Sequence, residues 1–407
     1  MPGSPPNAPC SMRASICALT CWCSDDTRPI RSATPRSSMR SGRARSSRPR
    51  PRSPRKNGSP RPGPHASRPR ASRSTARTGP GRSKSGSPAG PCGSIRSSPP
   101  RSGPRNGRAG DCQSPARGYP RGMSAPVAVA LEPCSTGENP LWHAGENALY
   151  WTDIPAGKLF RFDPADGIYR KVYEGEPVGG FTVQADGSLL LFRVSDFARF
   201  DPATGSLSIL RTFRDEGMQR FNDVMADPEG RVFAGTIGTD DRGGGLYRVD
   251  TDGTVTRLFR GTRVSNGMGF TPDLRRMYWT DSTAKTISVF EYDRATGSLA
   301  NPAIVHAAGP ADGTPDGMVV DAEGNLWSAR WDGHAILKIA PDGTVLERHA
   351  FPVAKVSALC FAGPDLDQFY VTTAGGGRPE SQPLDGALFH LATGTRGPDR
   401  FRSRILL

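Results

Sequence analysis

Four short polar motifs place carboxylate, amide or guanidinium side chains just before apolar runs of this chain. They are Gly137-Glu-Asn-Pro-Leu-Trp142, Arg220-Phe-Asn-Asp-Val224, Ser265-Asn-Gly-Met-Gly-Phe270 and Thr314-Pro-Asp-Gly-Met-Val319. Glu138, Asn266 and Asp316 offer only oxygen donors, a set that suits hard divalent cations. No His or Cys stands at an equivalent position, which disfavours a dedicated zinc site. The simpler alternative is that Glu138 and Asp316 are turn residues, but polar exceptions at corresponding points of several repeats favour one shared site.

The segments that must position this site form a repeat of strands. The first apolar residues of the equivalent strands are Leu149, Leu189, Val232, Met277, Leu326 and Phe369, with gaps of 40, 43, 45, 49 and 43. Each unit supplies about four strands and no helix, which is typical of propeller blades. The predicted fold class is therefore all-β, a six-bladed β-propeller. A flat sandwich would also use short strands, but it does not explain the repeat.

Ring closure is the second expectation for this fold. A propeller with separated terminal blades would expose strand edges, so the ring must close. The strand Val127–Leu131 precedes the first full repeat. We expect it to pair into the last blade beside Ala387–Leu391.

The formal net charge of +14 combines two unlike segments. Residues 1–122 contain 25 Lys and Arg but three acidic residues, whereas the remainder carries 28 basic and 36 acidic residues. The Arg/Ser/Pro-rich segment 1–122 cannot bury enough apolar surface to offset its chain entropy, so we expect it to be disordered. The propeller should occupy residues 123–407. Because this part is mildly acidic, it does not favour nucleic acid as a partner.

Three origins fit the basic segment. An Arg-rich disordered arm would bind nucleic-acid phosphates. A transit peptide is also Arg- and Ser-rich and poor in acids, although this segment is long and shows no amphipathic helix. We favour a third origin, in which GC-rich DNA upstream of the true start is read as protein and Met123 is the natural initiator.

Cysteine usage and hydropathy indicate the compartment. Only Cys134 and Cys360 lie beyond residue 122, which is no disulfide framework and suits a reducing cytoplasm. No apolar run approaches the ~18 residues of a membrane span. We expect a cytoplasmic monomer with no membrane partner.

Residues 132–405 resemble the gluconolactonase family that includes regucalcin, also called senescence marker protein. The motifs that carry the resemblance occur in family order: Glu138-Asn-Pro-Leu-Trp142, Arg220-Phe-Asn-Asp223, Ser265-Asn-Gly267 and Pro315-Asp-Gly317. The family has a six-bladed propeller that holds one divalent metal with a Glu, an Asn and an Asp. The resemblance implies that Glu138, Asn266 and Asp316 are the metal ligands here.

The resemblance also implies the substrate contacts. The Arg and Asn of the third-blade motif contact a sugar lactone in the family, and they correspond to Arg220 and Asn222. Family members often add an acidic residue from the following loop. That loop reads Gly238-Thr-Asp-Asp-Arg242 here. Asp240 is our choice, although the loop departs from the family pattern.

The expected chemistry is metal-dependent hydrolysis of an aldonolactone, a sugar lactone, to the aldonic acid. A divalent cation polarises the carbonyl and lowers the pKa of a bound water, while Arg220 stabilises the oxyanion. Asp316 is the expected general base, although metal binding makes a carboxylate less basic. Calcium is the expected cation, with zinc, manganese, magnesium and iron as alternatives.

Two other functions remain open on the same propeller. Related six-bladed propellers with a central metal hydrolyse organophosphates, and a similar oxygen-rich site could do so here. A non-catalytic calcium-binding protein is the second alternative. It would need the ligands but neither Arg220 nor Asn222.

Overall fold

The computed structural model describes residues 124–406. The described residues form 24 β-strands and no helix. The predictions for residues 1–122 and for a start at Met123 lie outside the described residues. Between residues 124 and 406 no helix is long and apolar enough to cross a membrane.

Six sheets of four antiparallel strands each make up the described part of the chain. The first strand is β1 (Val127–Ala130). Blades one to three contain β2 (Gly137–His143), β3 (Ala148–Asp153), β4 (Lys158–Asp163) and β5 (Ile168–Glu174), then β6 (Gly180–Val183), β7 (Leu189–Phe192), β8 (Asp196–Asp201) and β9 (Ser206–Thr212), then β10 (Met218–Ala226), β11 (Val232–Gly238), β12 (Gly244–Val249) and β13 (Val255–Thr262). Blades four to six contain β14 (Ser265–Phe270), β15 (Arg276–Asp281), β16 (Thr286–Asp293) and β17 (Ser298–Ala307), then β18 (Thr314–Val320), β19 (Leu326–Trp331), β20 (Ala335–Ile339) and β21 (Val345–Ala350), then β22 (Val356–Ala362), β23 (Gln368–Thr373) and β24 (Leu388–Ala392). The predicted six-bladed β-propeller is confirmed, and each of the six repeat markers lies fully buried in the second strand of its blade.

The six first strands form the inner ring of the propeller. β2 contacts β6, and the contacts continue through β10, β14 and β18 to β22, which contacts β2 again. A neighbouring blade covers each face of a first strand, so β2, β6, β14 and β22 are buried along their whole length. Fourth strands such as β9 are mostly exposed. Burial along these first strands is therefore continuous and does not alternate as in a half-buried strand.

β1 closes the ring by pairing with the third strand of blade six. Val127 lies opposite His390, and Ala128 lies opposite Phe389, in an antiparallel register. The predicted pairing of this strand beside Ala387–Leu391 is confirmed. Blade six thus combines strands from both ends of the described chain, which leaves no unpaired edge between the first and last blades.

Four of the first strands are bulged at the polar motifs. Their register with the second strand shifts between Glu138 and Leu141, between Phe221 and Val224, between Asn266 and Met268, and between Pro315 and Met318. A bulge inserts an unpaired residue, twists the strand and redirects its side chains. Of the two first strands without a predicted site residue, β6 pairs regularly with β7, whereas β22 is bulged between Val356 and Ala358. The bulges therefore turn the motif side chains away from the alternating directions that a regular β-strand would give them.

Two glycines let neighbouring first strands approach each other closely at these bulges. A Cβ atom on Gly267 would lie 2.5 Å from Met318 N and 2.6 Å from Asp316 O. A Cβ atom on Gly317 would lie 2.5 Å from Ala358 Cβ. Each glycine directly follows a predicted metal ligand, so its missing side chain sets how closely β14, β18 and β22 pack.

Residues 396–406, after blade six, cross the end of the channel that lies away from the motifs. Ser403 N donates a hydrogen bond to Val183 O of blade two, and Phe401 packs against Phe270 of blade four. This segment and side chains from all six blades line a mostly apolar cavity of about 260 Å³. The polar residues of the motifs lie at one end of the channel, and the apolar residues that follow them line the cavity towards the other end.

Substitution of Gly317 by Ala should lower the free energy of unfolding by about 1–3 kcal/mol, because the new methyl group must push β22 away from β18. Urea unfolding followed by tryptophan fluorescence measures this change. Gly145→Ala is the matched control, since its Cβ would come no closer than 3.3 Å to any atom, a carbon of the His143 ring. Equal effects of the two substitutions would contradict the close packing at Gly317.

Candidate metal centre

The structure brings five of the predicted residues to the beginnings of neighbouring first strands. Glu138 lies in β2, Arg220 and Asn222 in β10, Asn266 in β14, and Asp316 in β18. Arg220 is half-buried, and the other four are at most 7 % exposed. Asp316 is therefore a buried strand residue and not the turn residue that its Asp-Gly sequence also allowed.

A chain of hydrogen bonds links blades three and four at this site. Arg220 Nη1 donates to Asn222 Oδ1 and to Phe221 O, each at 2.8 Å. Asn222 Nδ2 donates to Asn266 Oδ1 and to Ser265 O, each at 3.0 Å. Asn222 therefore orients both the guanidinium group of Arg220 and the amide of Asn266.

Ser282 continues this chain to blade five and fixes the orientation of the Asn266 amide. Its hydroxyl donates to Pro315 O at 2.6 Å, so its oxygen accepts the hydrogen bond from Asn266 Nδ2 at 3.0 Å. The Asn266 oxygen must then lie on the side of Asn222, with a second lone pair to offer. Because Pro315 precedes Asp316, the same hydroxyl also holds the start of the β18 bulge.

Asn139 links blade one to blades two and three. Its backbone is left-handed, with φ 49°. Its side-chain Oδ1 accepts from Phe181 N at 2.7 Å, and its Nδ2 donates to Asp223 Oδ1 at 3.2 Å. Its backbone N also donates to Glu138 Oε2 at 3.2 Å. Asn139 thus positions the Glu138 carboxylate relative to blade three.

Burial and mutual repulsion disfavour ionisation of the acids at this site. Burial, followed by the charge of Asp223, raises the pKa of Glu138 to about 8. Burial, then Glu138 and Asp223, hold the pKa of Asp316 well above its usual value. Burial also raises the pKa of Asp223 to about 6, an effect that Arg400 opposes. Burial lowers the pKa of Arg220 to about 10, and the two acids Glu138 and Asp316 oppose this change.

This set of donors fits a divalent cation. Two buried carboxylates that repel each other need positive charge if both are to ionise, and Arg220 supplies only one such charge. The part of the chain that the structure describes contains no group of three or more His, Cys, Asp and Glu side chains arranged to hold a metal ion. An ion bound by Glu138 and Asp316 would therefore need a third protein ligand of another type, and the oriented amide oxygen of Asn266 is suited to a hard cation.

Asp240, the remaining predicted residue, lies in the loop between β11 and β12, at the same end of the propeller as the motifs. Its side chain is exposed and accepts a hydrogen bond from Arg242 N at 2.9 Å. Between residues 124 and 406 no hydrogen bond or ion pair joins Asp240 to the buried residues of the site. The structure thus places Asp240 at the rim.

Comparison with known proteins identifies the family. Residues 136–375 match the family model described as SMP-30/Gluconolactonase/LRE-like region. The match spans more than half of the chain and contains all of the predicted site residues. The chain belongs to this family. Its membership confirms the resemblance inferred from the motifs.

Individual members of the SMP-30/gluconolactonase family match over nearly their full length. The pentonolactonase XacC of Haloferax volcanii is 42% identical over 286 residues, which cover 67% of this chain and 96% of that protein. Regucalcin of Homo sapiens is 32% identical over 276 residues, which cover 65% of this chain and 92% of that protein. A solved structure of a calcium-binding protein, regucalcin, from Agrobacterium tumefaciens has a TM-score of 0.64 at 25% identity. That comparison covers 70% of this chain and 97% of the other.

Three residues that shape this SMP-30/gluconolactonase-type site were not predicted from the sequence: Asn139, Ser282 and Arg400. Asn139 stands inside a quoted motif, and the tolerance of Asn for left-handed backbone was the available signal. Ser282 and Arg400 have no counterpart in the repeat. Arg400 follows the last blade and lines a small cavity of about 20 Å³ together with Asn139 and Asp223. The end of the chain therefore contributes a positive charge near the site.

Asn139→Ala should lower the free energy of unfolding by about 2–3 kcal/mol, because two hydrogen bonds between blades are lost. Asn139→Gly loses the same bonds but tolerates positive φ, so it should be about 1 kcal/mol more stable than Asn139→Ala. Urea unfolding of both variants measures the difference. If the Ala and Gly variants were equally stable, the left-handed backbone at Asn139 would carry no cost.

Proposed function

We propose that this protein is a metal-dependent lactonase that hydrolyses an aldonolactone to the aldonic acid. The observation that carries the proposal is the hydrogen-bonded chain from Arg220 through Asn222 to Asn266, beside the buried acids Glu138 and Asp316. Calcium storage needs oxygen ligands but no guanidinium group held next to them. A pentonolactonase at 42% identity supports a lactone as the substrate class.

Glu138, Asn266 and Asp316 would hold the cation in this proposal. A divalent ion bound there supplies Lewis acidity towards the lactone carbonyl and lowers the pKa of a bound water. We propose calcium, because all three donors are oxygens and a solved family member is a calcium-binding protein. Zinc, manganese, magnesium and iron are the alternatives that metal exchange must test.

Arg220 binds the reacting oxygen of the lactone. Both hydrogen bonds that Arg220 makes within residues 124–406 use Nη1, so Nε and Nη2 are left to donate to substrate. Attack on the ester carbonyl creates an oxyanion, and a guanidinium group donates more strongly to this charge than to the neutral carbonyl. Because Asn222 already fixes the guanidinium plane, little reorganisation is needed as the charge develops.

The remaining residues orient the sugar and move the proton. Asn222 uses both side-chain N–H groups on Ser265 and Asn266, so it meets a sugar hydroxyl through the free lone pair of Oδ1. Asp240, at the rim, accepts a hydrogen bond from a second hydroxyl. A carboxylate oxygen of Asp316 takes the proton of the attacking water and returns it to the ring oxygen as the ester C–O bond breaks, which releases the hydroxy acid.

Hydrolysis should require both the cation and Asp316. Proton release from a panel of pentonolactones and hexonolactones, measured with the full chain above the spontaneous rate, should stop in chelator and return with added calcium. Asp316→Asn should lower the rate about 10²–10⁴-fold, because it removes a proton acceptor and a ligand charge. Hydrolysis that is unchanged in chelator, or a fully active Asp316→Asn variant, would rule out this mechanism.

Arg220→Met should separate catalysis from cation binding. We expect kcat to fall about 10²–10³-fold, as when one oxyanion donor is lost. Calcium affinity measured by calorimetry should be unchanged or tighter, because a nearby positive charge is removed. Arg170→Met, at an exposed arginine of β5, is the matched control and should keep full activity.

The same variants distinguish the alternative functions. A non-catalytic calcium-binding protein would bind calcium as wild type and in Arg220→Met, and would turn over no lactone even as wild type. An organophosphate hydrolase would release protons from phosphotriesters but not from the lactone panel. Either result would replace the lactonase proposal.

A further inference from the structure

Arg330 is a fully buried guanidinium group with no hydrogen-bond partner. Its side chain is 0% exposed. Its Nε, Nη1 and Nη2 atoms all lack a hydrogen-bond partner within residues 124–406. Burial lowers the pKa of Arg330 to about 10, so the group still carries its charge at neutral pH. A buried charge without a partner is strongly unfavourable, which makes this position exceptional in a folded protein.

Arg330 belongs to blade five. The strand registers place two further unpaired polar groups, Thr280 and His306 of blade four, on the face of blade four that packs against blade five. In blade four Thr280 lies opposite Ile287, and Ile287 lies opposite His306, so the three side chains share one face. Ile287 packs in one apolar cluster with Leu326 of blade five. Arg330 is four residues beyond Leu326 on β19 and points to the same face. Thr280 Oγ1 and His306 Nε2 both lack partners among the described residues.

The charges around Arg330 do not balance. Asp312 is the acid that acts on Arg330, while Arg348 adds a second positive charge. Asp312 Oδ1 lies 3.5 Å from Arg348 Nη1, and Asp312 Oδ2 already accepts a hydrogen bond from Gly309 N. Two guanidinium groups therefore share one carboxylate, which leaves an excess of one positive charge around the buried Arg330 side chain.

We propose that blades four and five enclose a binding site for one small monovalent anion, held by the Arg330 guanidinium group and the Thr280 hydroxyl. The donors are a planar N–H fork and an O–H group, a combination that suits a halide or a small oxyanion. His306 Nδ1 contacts Gly343 O at 3.3 Å and so carries the hydrogen of the neutral ring, which leaves Nε2 as an acceptor. This acceptor would pair with the O–H of hydrogencarbonate, so that anion is tested beside chloride.

The test is the anion dependence of thermal stability in the full chain. Chloride or hydrogencarbonate is titrated against isethionate at constant ionic strength. Above the dissociation constant, each tenfold rise in the free concentration of the anion that binds should raise the wild-type Tm by about 2–4 °C. Arg330→Met should abolish this rise, and Thr280→Val should shift it to higher concentration. Arg294→Met, at an exposed arginine of the same blade as Thr280, is the matched control and should respond as wild type.

In isethionate alone Arg330→Met should melt at or above the wild-type temperature, because it removes a buried charge that lacks its partner. The Tm of wild type should rise above that of Arg330→Met as chloride or hydrogencarbonate is added. The basic residues 1–122 are common to all variants, so their own anion binding cancels. The same anion response in wild type and Arg330→Met would overturn the proposal. If chloride raises the Tm, a bromide-soaked crystal with no anomalous peak within hydrogen-bonding distance of Arg330 would overturn it as well.

Discussion

The close approach of neighbouring first strands is the constraint on which the rest of the structure depends. Six strands stand side by side around one channel, and at Gly267 and Gly317 there is no room for even a methyl group between them. Side chains at the start of these strands cannot lie between the blades, so bulges in the sheet turn them elsewhere. Glu138, Asn266 and Asp316 are therefore positioned by the same packing that closes the ring.

This packing also sets the electrostatics of the site. Buried Glu138 and Asp316 lie near the partly buried Asp223, and burial is the largest cause of the raised pKa of each. Two arginines from different parts of the chain, Arg220 in β10 and Arg400 after blade six, supply the opposing positive charge. A site with this balance favours a further cation over a further acid. Because further carboxylates would add to this repulsion, hydrogen-bonded amides connect the blades instead.

The sequence alone predicted the number of blades, the closing pair of strands and the motif residues, because each depends on a local pattern or on the repeat. The bulges were not predicted, since a bulge depends on the register with a partner strand and not on composition. The bridging roles of Asn139 and Ser282 were missed for the same reason: each contacts a residue from another blade. Arg400 gave no signal because it lies outside the repeat. Asp240 was chosen from a loop position, and its role stays a prediction.

Blades four and five show how a few motif residues depend on neighbours that belong to no motif. On the channel side, Ser282 joins Asn266 to Pro315. On the side between the blades, Arg330 lies opposite Pro315 in the strand register. The residue before Asp316 therefore accepts a hydrogen bond from one of these neighbours and pairs in the sheet with the other. A family motif therefore supplies the donor atoms, whereas the faces between blades determine how accurately those atoms are held.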